Sequence, residues 1–551
     1  MDAASTGGET ATSSSSMSAK KNRSRTETVS TVASSETQQL KNAAAAEDEA
    51  EALPRWFPIC CGKPILHGKP EALGFLLGML GQVVGVLGVM TFVVPSLVYF
   101  AKKEAGCQVE LEEGQDELPP CNETVYGIKP SSMITTLVSI VSICVALMTP
   151  VIGAIIDTSR HRRLIGRCIA FFYCCVILPQ VFISENTWFP LVICLMLQGC
   201  TIMALSLCLH AYLPDLTDSE EELNDFTKTF TAVPGGFIIV FIIAVIGASV
   251  AFDVAGEEGP TARIAALFGV IVVAISLFIS WGFLLKERPS LNALEEGQWR
   301  LTAGFKKIYL TAGRLYRTDM PLLWFFIAVA LGDVKPLTGI GLTFLSSQQQ
   351  FTSTDVGLAA IIMLVSAIPG AVLSAFMCRK FNPIRSSMLS LVIFSMTTIA
   401  ASIFLTGPNQ KPQTYVIVGC WGVVGGWKVT STLMLVAGII PEGGDAEYMG
   451  FYLFADSGLS WLPPLIFTAM NEAGMSERLG VSVSTVIWYV LGIGAYFMMG
   501  SYDDLIQRAN RLEAPEKEHM AAISEHGDSP SKLSNSKLAI AISEEEALEE
   551  P

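Results

Sequence analysis

Four ionisable side chains lie inside stretches otherwise too apolar to hold them. Asp333 and Lys335 stand in LGDVKPLTGIGL, Lys428 in GGWKVTST and Asp456 in FADSGLSW. A charge at the middle of a membrane span costs roughly 2.5–3.5 kcal/mol on insertion scales, so each such residue needs a reason. A carboxylate in that setting can take up a proton or hold an ammonium group. An ammonium can hold a carboxylate. Charges of both signs therefore suit a small zwitterion, and they suit equally a set of structural ion pairs.

Asp333 falls about 20 Å into its span, near the midplane. Gly332, Pro336, Gly339 and Gly341 surround it. Pro336 removes a backbone hydrogen bond, so a kink or unwound turn is expected there, which would free carbonyls at substrate depth. Asp333 then reads as a proton acceptor or ammonium ligand, or with Lys335 as a structural pair. On a regular helix two residues of that spacing point about 160° apart, which opposes direct pairing. Lys428 has Ser431 and Thr432 on its own helix face. Rise counting puts Lys428 about 18 Å and Asp456 about 12 Å from one membrane face, so a bridge between them is within reach. His210, at the end of the fourth span, reads as a proton relay or as an end-capping side chain. Gln82 on the first span reads as a polar group lining a cavity. Trp427 and Trp461 shape an apolar pocket or simply pack.

Enzymatic chemistry has no visible constellation. The five His (His67, His161, His210, His519 and His526) lack metal-ligand spacing. No P-loop stands before the apolar region, which argues against ATP-driven pumping. No cofactor is implied. There is no basic face with interleaved aromatics, so nucleic acid is not an expected partner.

The elements that must position these residues are membrane helices. Of 551 residues, 51% are hydrophobic and 16% charged, where a soluble protein carries about a quarter charged. Charges crowd into residues 1–70, 101–130, 286–319 and 501–551, and the stretches between are long enough to cross roughly 30 Å of hydrocarbon. The expectation is an all-α membrane protein with twelve transmembrane helices, near 72–100, 131–156, 164–184, 187–211, 230–252, 263–285, 320–346, 354–377, 387–406, 414–440, 448–470 and 481–500. They form two six-helix halves, 71–285 and 320–500. A disordered N-terminal tail (1–70), a connector (286–319) and an acidic C-terminal tail (501–551) complete the chain. Around GFKKIYLTAGRLYR the connector has aromatic and aliphatic residues at helical spacing among cations, as in an amphipathic helix on a membrane surface.

Lys and Arg crowd the loops after the second, sixth and eighth spans, which places those loops and both tails in the cytosol. Loop 101–130 then faces the opposite compartment. There Asn122-Glu123-Thr124 forms a glycosylation sequon, and Cys107 and Cys121 share an oxidising space in which they could pair.

Gly153-x-x-x-Asp157 followed by Arg160, His161, Arg162 and Arg163 resembles the loop signature of the major facilitator superfamily. In that family the glycine allows close helix contact, and the acid and bases form a cytosolic charge latch. HAYLPDL (210–216), TAVPGGF (231–237), AIPGAV (367–372), IPEGGDAEYMGFY (440–452) and SWLPPL (460–465) resemble one branch, the vacuole effluxer or autophagy-related protein 22-like transporters. The resemblance covers about 72–500. It implies a gradient- or proton-linked carrier that releases amino acids, notably large neutral ones, from a degradative vacuole or lysosome-like compartment. An Asp at the Asp333 position agrees with the family. At Asp456 and Thr432 many members carry a basic residue, so Lys428 here has the look of a displaced cation. A transport-inactive receptor or scaffold, and a carrier of some other organic solute, are the competing readings.

Overall fold

The structure, a computed structural model, describes residues 59–60, 63–108, 121, 123–213, 216–217, 220–287, 300–439 and 445–508. The chain divides into two units, Met1–Gly68 and Lys69–Pro551. In the first, β1 (Ile59–Cys60) and β2 (Lys63–Pro64) pair antiparallel, and a 3-10 turn follows over Ile65–Gly68. The end of the tail expected over 1–70 is thus a small hairpin. Positions 1–58, Asn122, the sequon asparagine, and residues 509–551 lie outside the described residues.

The second unit is helical. α1 (Pro70–Val83) runs through a π turn (Val84–Gly88) into α2 (Val89–Glu104), and together they make the first span. α3 (Pro130–Thr158), α4 (Arg162–Ile177), α5 (Trp188–His210), α6 (Glu220–Ala251) and α7 (Glu258–Ile279) complete the first half. α8 (Arg300–Thr318) is the connector helix. α9 (Met320–Leu331) and α10 (Lys335–Ser347) share the seventh span, followed by α11 (Ser353–Phe381), α12 (Pro383–Phe404) and α13 (Lys411–Ile439). α14 (Asp445–Gly458), α15 (Leu462–Glu472) and α16 (Glu477–Met498) end the second half.

Among the described residues eleven helical stretches are long and apolar enough to cross a membrane. The eleventh expected span is different. Sequence periodicity runs it unbroken over 448–470, whereas the structure splits it into 14-residue α14 and 11-residue α15. Pro463 and Pro464 supply the reason, since proline is tolerated in the first turn of a helix and breaks its interior. Twelve crossings remain consistent with this arrangement.

Local chemistry explains several of the element ends. Thr352 and Asp355 form a reciprocal capping box at the start of α11. Asn382, at φ +72°, accepts from the Arg385 N–H and lets α12 start on Pro383. In the π turn of the first span, the Gly85 carbonyl accepts from Gln198 Nε2 at 2.9 Å, and the Tyr173 hydroxyl lies where a Cβ on Gly85 would sit. α11 and α13 meet backbone to backbone. A Cβ on Gly370, Gly422 or Gly426 would collide with the carbonyl of Val423, Met363 or Ala367 respectively, which is close small-residue packing of the kind membrane helices use.

The core of the second half gathers around Phe325, Phe344, Trp488, Tyr489 and Tyr496. Outward-facing Phe171, Val240, Val372, Phe376 and Val490 form the apolar exterior a bilayer would cover. α8 is a helix, as its spacing predicts. Gly304 fits it against the backbone of Pro150 on α3, while Phe305, Tyr309 and Tyr316 stay exposed.

Candidate functional site: a charge cluster in the second half

The seventh span is interrupted where the sequence puts its charges. α9 stops at Leu331 and α10 restarts at Lys335, with Pro336 in the first turn, where its missing N–H costs nothing. Asp333 lies in the break. Its Oδ1 accepts the Lys335 backbone N–H at 3.0 Å, and its Oδ2 is buried with no hydrogen-bond partner. Gly492 on α16 allows the last span to close on the break; a Cβ there would come within 3.0 Å of the Leu331 carbonyl.

Lys335 behaves oppositely. Its side chain is 64% exposed, and its ammonium forms an ion pair with the Asp456 carboxylate. The Asp333 and Lys335 side chains do not pair with each other, and it is the break, not the 160° turn of a continuous helix, that separates them. The bridge expected within reach between Lys428 and Asp456 is corrected, since Asp456 is taken by Lys335. Lys428 is buried and donates to Thr432 Oγ1 at 2.6 Å and to Tyr496 Oη at 3.0 Å, with its ammonium 5.2 Å from that ring's centroid. Asp333 lies within electrostatic reach of Lys335, Asp456 and Lys428 alike. The four charges come together, on α10, α13, α14 and the α9–α10 break.

Tyr496 was not singled out by sequence reasoning, because an aromatic on an apolar helix reads as packing. The same holds for fully buried Tyr489, which lies near Asp333. Ser431 does not join Lys428: its hydroxyl meets Ser374 at 2.8 Å and Ser386 at 3.0 Å, and Ser386 also accepts from Trp427 Nε1 at 2.9 Å. Trp427 is therefore a packing and bonding residue of the helix interface. Trp461 donates to Gly458 O at 3.1 Å, bridging the α14–α15 break.

From the first half, His210 lies within electrostatic reach of Lys335 and holds its Nδ1 2.8 Å from Ser206 O. Gln82 is buried and its Nε2 has no partner.

At the loop signature, an added Cβ on Gly153 would meet nothing within 4 Å; the tight approach is made by Gly304 instead. Arg160 is exposed. Arg162 is buried and donates from Nε to Ile156 O at 3.2 Å, while Arg163 binds carbonyls of Trp281 and Gly282 and, through its backbone N–H, Glu287. These contacts tie α4 to the ends of α3 and α7, within one half. The Asp157 side chain lies outside the described residues. Cys107 and Cys121 form a disulfide, with Cα atoms 5.6 Å apart. Among the described residues no cluster of three or more His, Cys, Asp or Glu could hold a metal.

Eleven helical stretches long and apolar enough to span a bilayer, among the described residues, define a multi-pass membrane protein. The sequence pattern of the Major Facilitator Superfamily matches residues 86–463, and the chain belongs to that family. Among curated proteins it is similar to autophagy-related protein 22-1 of Aspergillus clavatus, 24% identical over 360 residues that cover 60% of this chain and 58% of the relative. It is also similar to autophagy-related protein 22-2 of Emericella nidulans, 26% identical over 168 residues and 28% of each chain. The matches thus span less than two thirds of these relatives. Two solved structures share the fold: a D-xylose–proton symporter (TM-score 0.53, 12% identity, 78% of this chain and 97% of that one) and a bacterial homologue of the iron transporter ferroportin in its inward-facing state (0.52, 17%, 77% and 98%).

Proposed function

We propose that this protein is a secondary active transporter that moves a small zwitterion, a neutral amino acid, by alternating access, out of a vacuole or lysosome-like compartment into the cytosol. The observation that carries this reading is the arrangement of Lys335 and Asp333. An exposed ammonium paired to Asp456 lies within electrostatic reach of His210 in the first half, and beside it a buried carboxylate keeps one oxygen unpartnered. The first can meet a substrate carboxylate. The second can take a proton or receive a substrate ammonium. A purely structural cluster would close on itself, because a buried polar atom without a partner costs about 1–3 kcal/mol. The resemblance to the vacuole effluxer branch implies this compartment and this substrate class. Rocking of the two halves about this site would expose it to each side in turn.

The test is uptake of a panel of labelled amino acids by proteoliposomes, with and without a pH gradient. Saturable uptake of neutral members, enhanced by the gradient, supports the proposal. No uptake of any member under either condition contradicts it.

A further inference from the structure

The two halves are tied together by polar groups at the end of the molecule that carries the Cys107–Cys121 disulfide. Glu258 opens α7 in the first half, yet its carboxylate serves a helix of the second. It accepts the Ser353 backbone N–H at 3.0 Å and also the Ser353 hydroxyl. Ser353 is the first residue of α11, so Glu258 places a negative charge on a helix N-terminus across the divide, where such a charge is stabilised by the unsatisfied N–H groups and the dipole. Ser96 of α2 donates to Glu258 O at 2.5 Å, and Ser353 Oγ also reaches Phe92 O at 3.2 Å. Gly357 makes room for this closure: a Cβ there would lie 2.9 Å from the Phe92 ring.

A second set of ties lies across the same end. Asn471 Nδ2 donates to both Ser131 and Ser132 hydroxyls at 2.8 Å, Lys129 Nζ to Asn471 O at 2.8 Å, and Thr135 meets Thr468 at 2.7 Å. In this second set Glu472 takes the Lys129 N–H at 3.0 Å, and the Glu477 carboxylate reaches Ser131 and Ser347. Glu258 differs in joining the first half directly to the start of α11. It lines a cavity of about 770 Å³, together with Lys102, Arg263 and Thr352.

From these contacts we infer that Glu258 is a proton-released latch. Ionised, it clamps the first half onto α11 and keeps the disulfide face closed; protonated from that face, it gives up its charge and lets the halves part there. The proton goes onto a Glu258 oxygen that now accepts from Ser353, and no other bond changes. The charged groups facing it are Lys102 on α2, which also feels Glu477 on α16, and Asp355 on α11, itself held by Lys411 of α13 at 2.7 Å. Lys102 favours the ionised latch, and Asp355 opposes it with its charge already engaged. The inference rests on the alternating-access reading and gives it a direction: the site would open toward a compartment rich in protons.

Hydrogen–deuterium exchange of the full-length protein tests it without measuring flux. Glu258→Gln keeps the shape and removes the charge. It should speed exchange of the Ser353–Val356 amides about tenfold at neutral pH, and wild type at acid pH, after correction for intrinsic rates, should approach the variant. Glu257→Gln, one residue away and exposed, should behave as wild type. Equal protection in Glu258→Gln and wild type at neutral pH, or wild-type protection unmoved by acid, overturns the latch. If the latch responds as stated while no solute is carried, it is the transport reading that fails.

Discussion

The ammonium of Lys335 pairs with Asp456, 121 positions further along the chain, and not with Asp333 only two positions away. The reason is the break in the seventh span. With Lys335 as the first residue of α10, its side chain swings away from the helix axis toward α14, and the short link Gly332–Val334 turns Asp333 inward.

The proposed transport site makes this pair a functional bridge more than a structural one. Lys335 is largely exposed, and exposed ion pairs contribute about 0–1 kcal/mol. Lys335→Met or Asp456→Asn is therefore expected to leave the thermal midpoint in detergent within a few degrees of wild type. Each should cut amino-acid uptake about tenfold or more. Normal uptake in either variant would remove the bridge from the mechanism.

Lys428 gives the opposite expectation. Its ammonium is buried and depends on Thr432 and Tyr496. Tyr496→Phe deletes one acceptor without opening a cavity, which costs about 1–3 kcal/mol when a buried donor is left short. The unfolding midpoint should fall clearly. A midpoint equal to wild type would mean that Tyr496 does not support Lys428.

Two adjacent glycines on α13 separate packing from propensity. Gly426→Ala drives a methyl into the Ala367 carbonyl, whereas Gly425→Ala meets only the Phe394 ring at 4.0 Å. Overpacking of this kind costs about 1–3 kcal/mol. Thermal unfolding should show Gly426→Ala destabilised and Gly425→Ala unchanged or slightly stabilised; equal behaviour would contradict the close α11–α13 contact.

Orientation has its own test. If loop 101–130 faces away from the cytosol, glycosidase should increase the mobility of the protein, and Asn122→Gln should abolish the shift. A wild-type protein without that shift would leave the disulfide face unassigned.

Much of this architecture is legible in the sequence because hydrocarbon leaves few choices. Runs such as LGFLLGMLGQVVGVLGVMTFVVPSLVYF cannot be anything but a span, and Pro336 and Gly332 announce the break in the seventh. The α14–α15 break has a signal in Pro463-Pro464, masked by an apolar pattern that continues through it. Partner choice was hidden for a different reason. Rise counting fixes the depth of Lys428 and Asp456 but not the direction each faces, and a break resets that direction. Tyr496 and Glu258 were hidden because their roles depend on a helix far away in sequence: Glu258 begins a span and caps another one 95 positions on.

The most direct measurement is uptake by proteoliposomes containing Asp333→Asn, beside wild type reconstituted to the same density and shown by circular dichroism to be folded. With a labelled neutral amino acid and an imposed pH gradient, the variant should carry less than about a tenth of the wild-type flux, because the uncharged amide can neither take up a proton nor hold an ammonium. Equal flux in the two proteins would contradict the assignment of Asp333, and with it the charge cluster as the transport site.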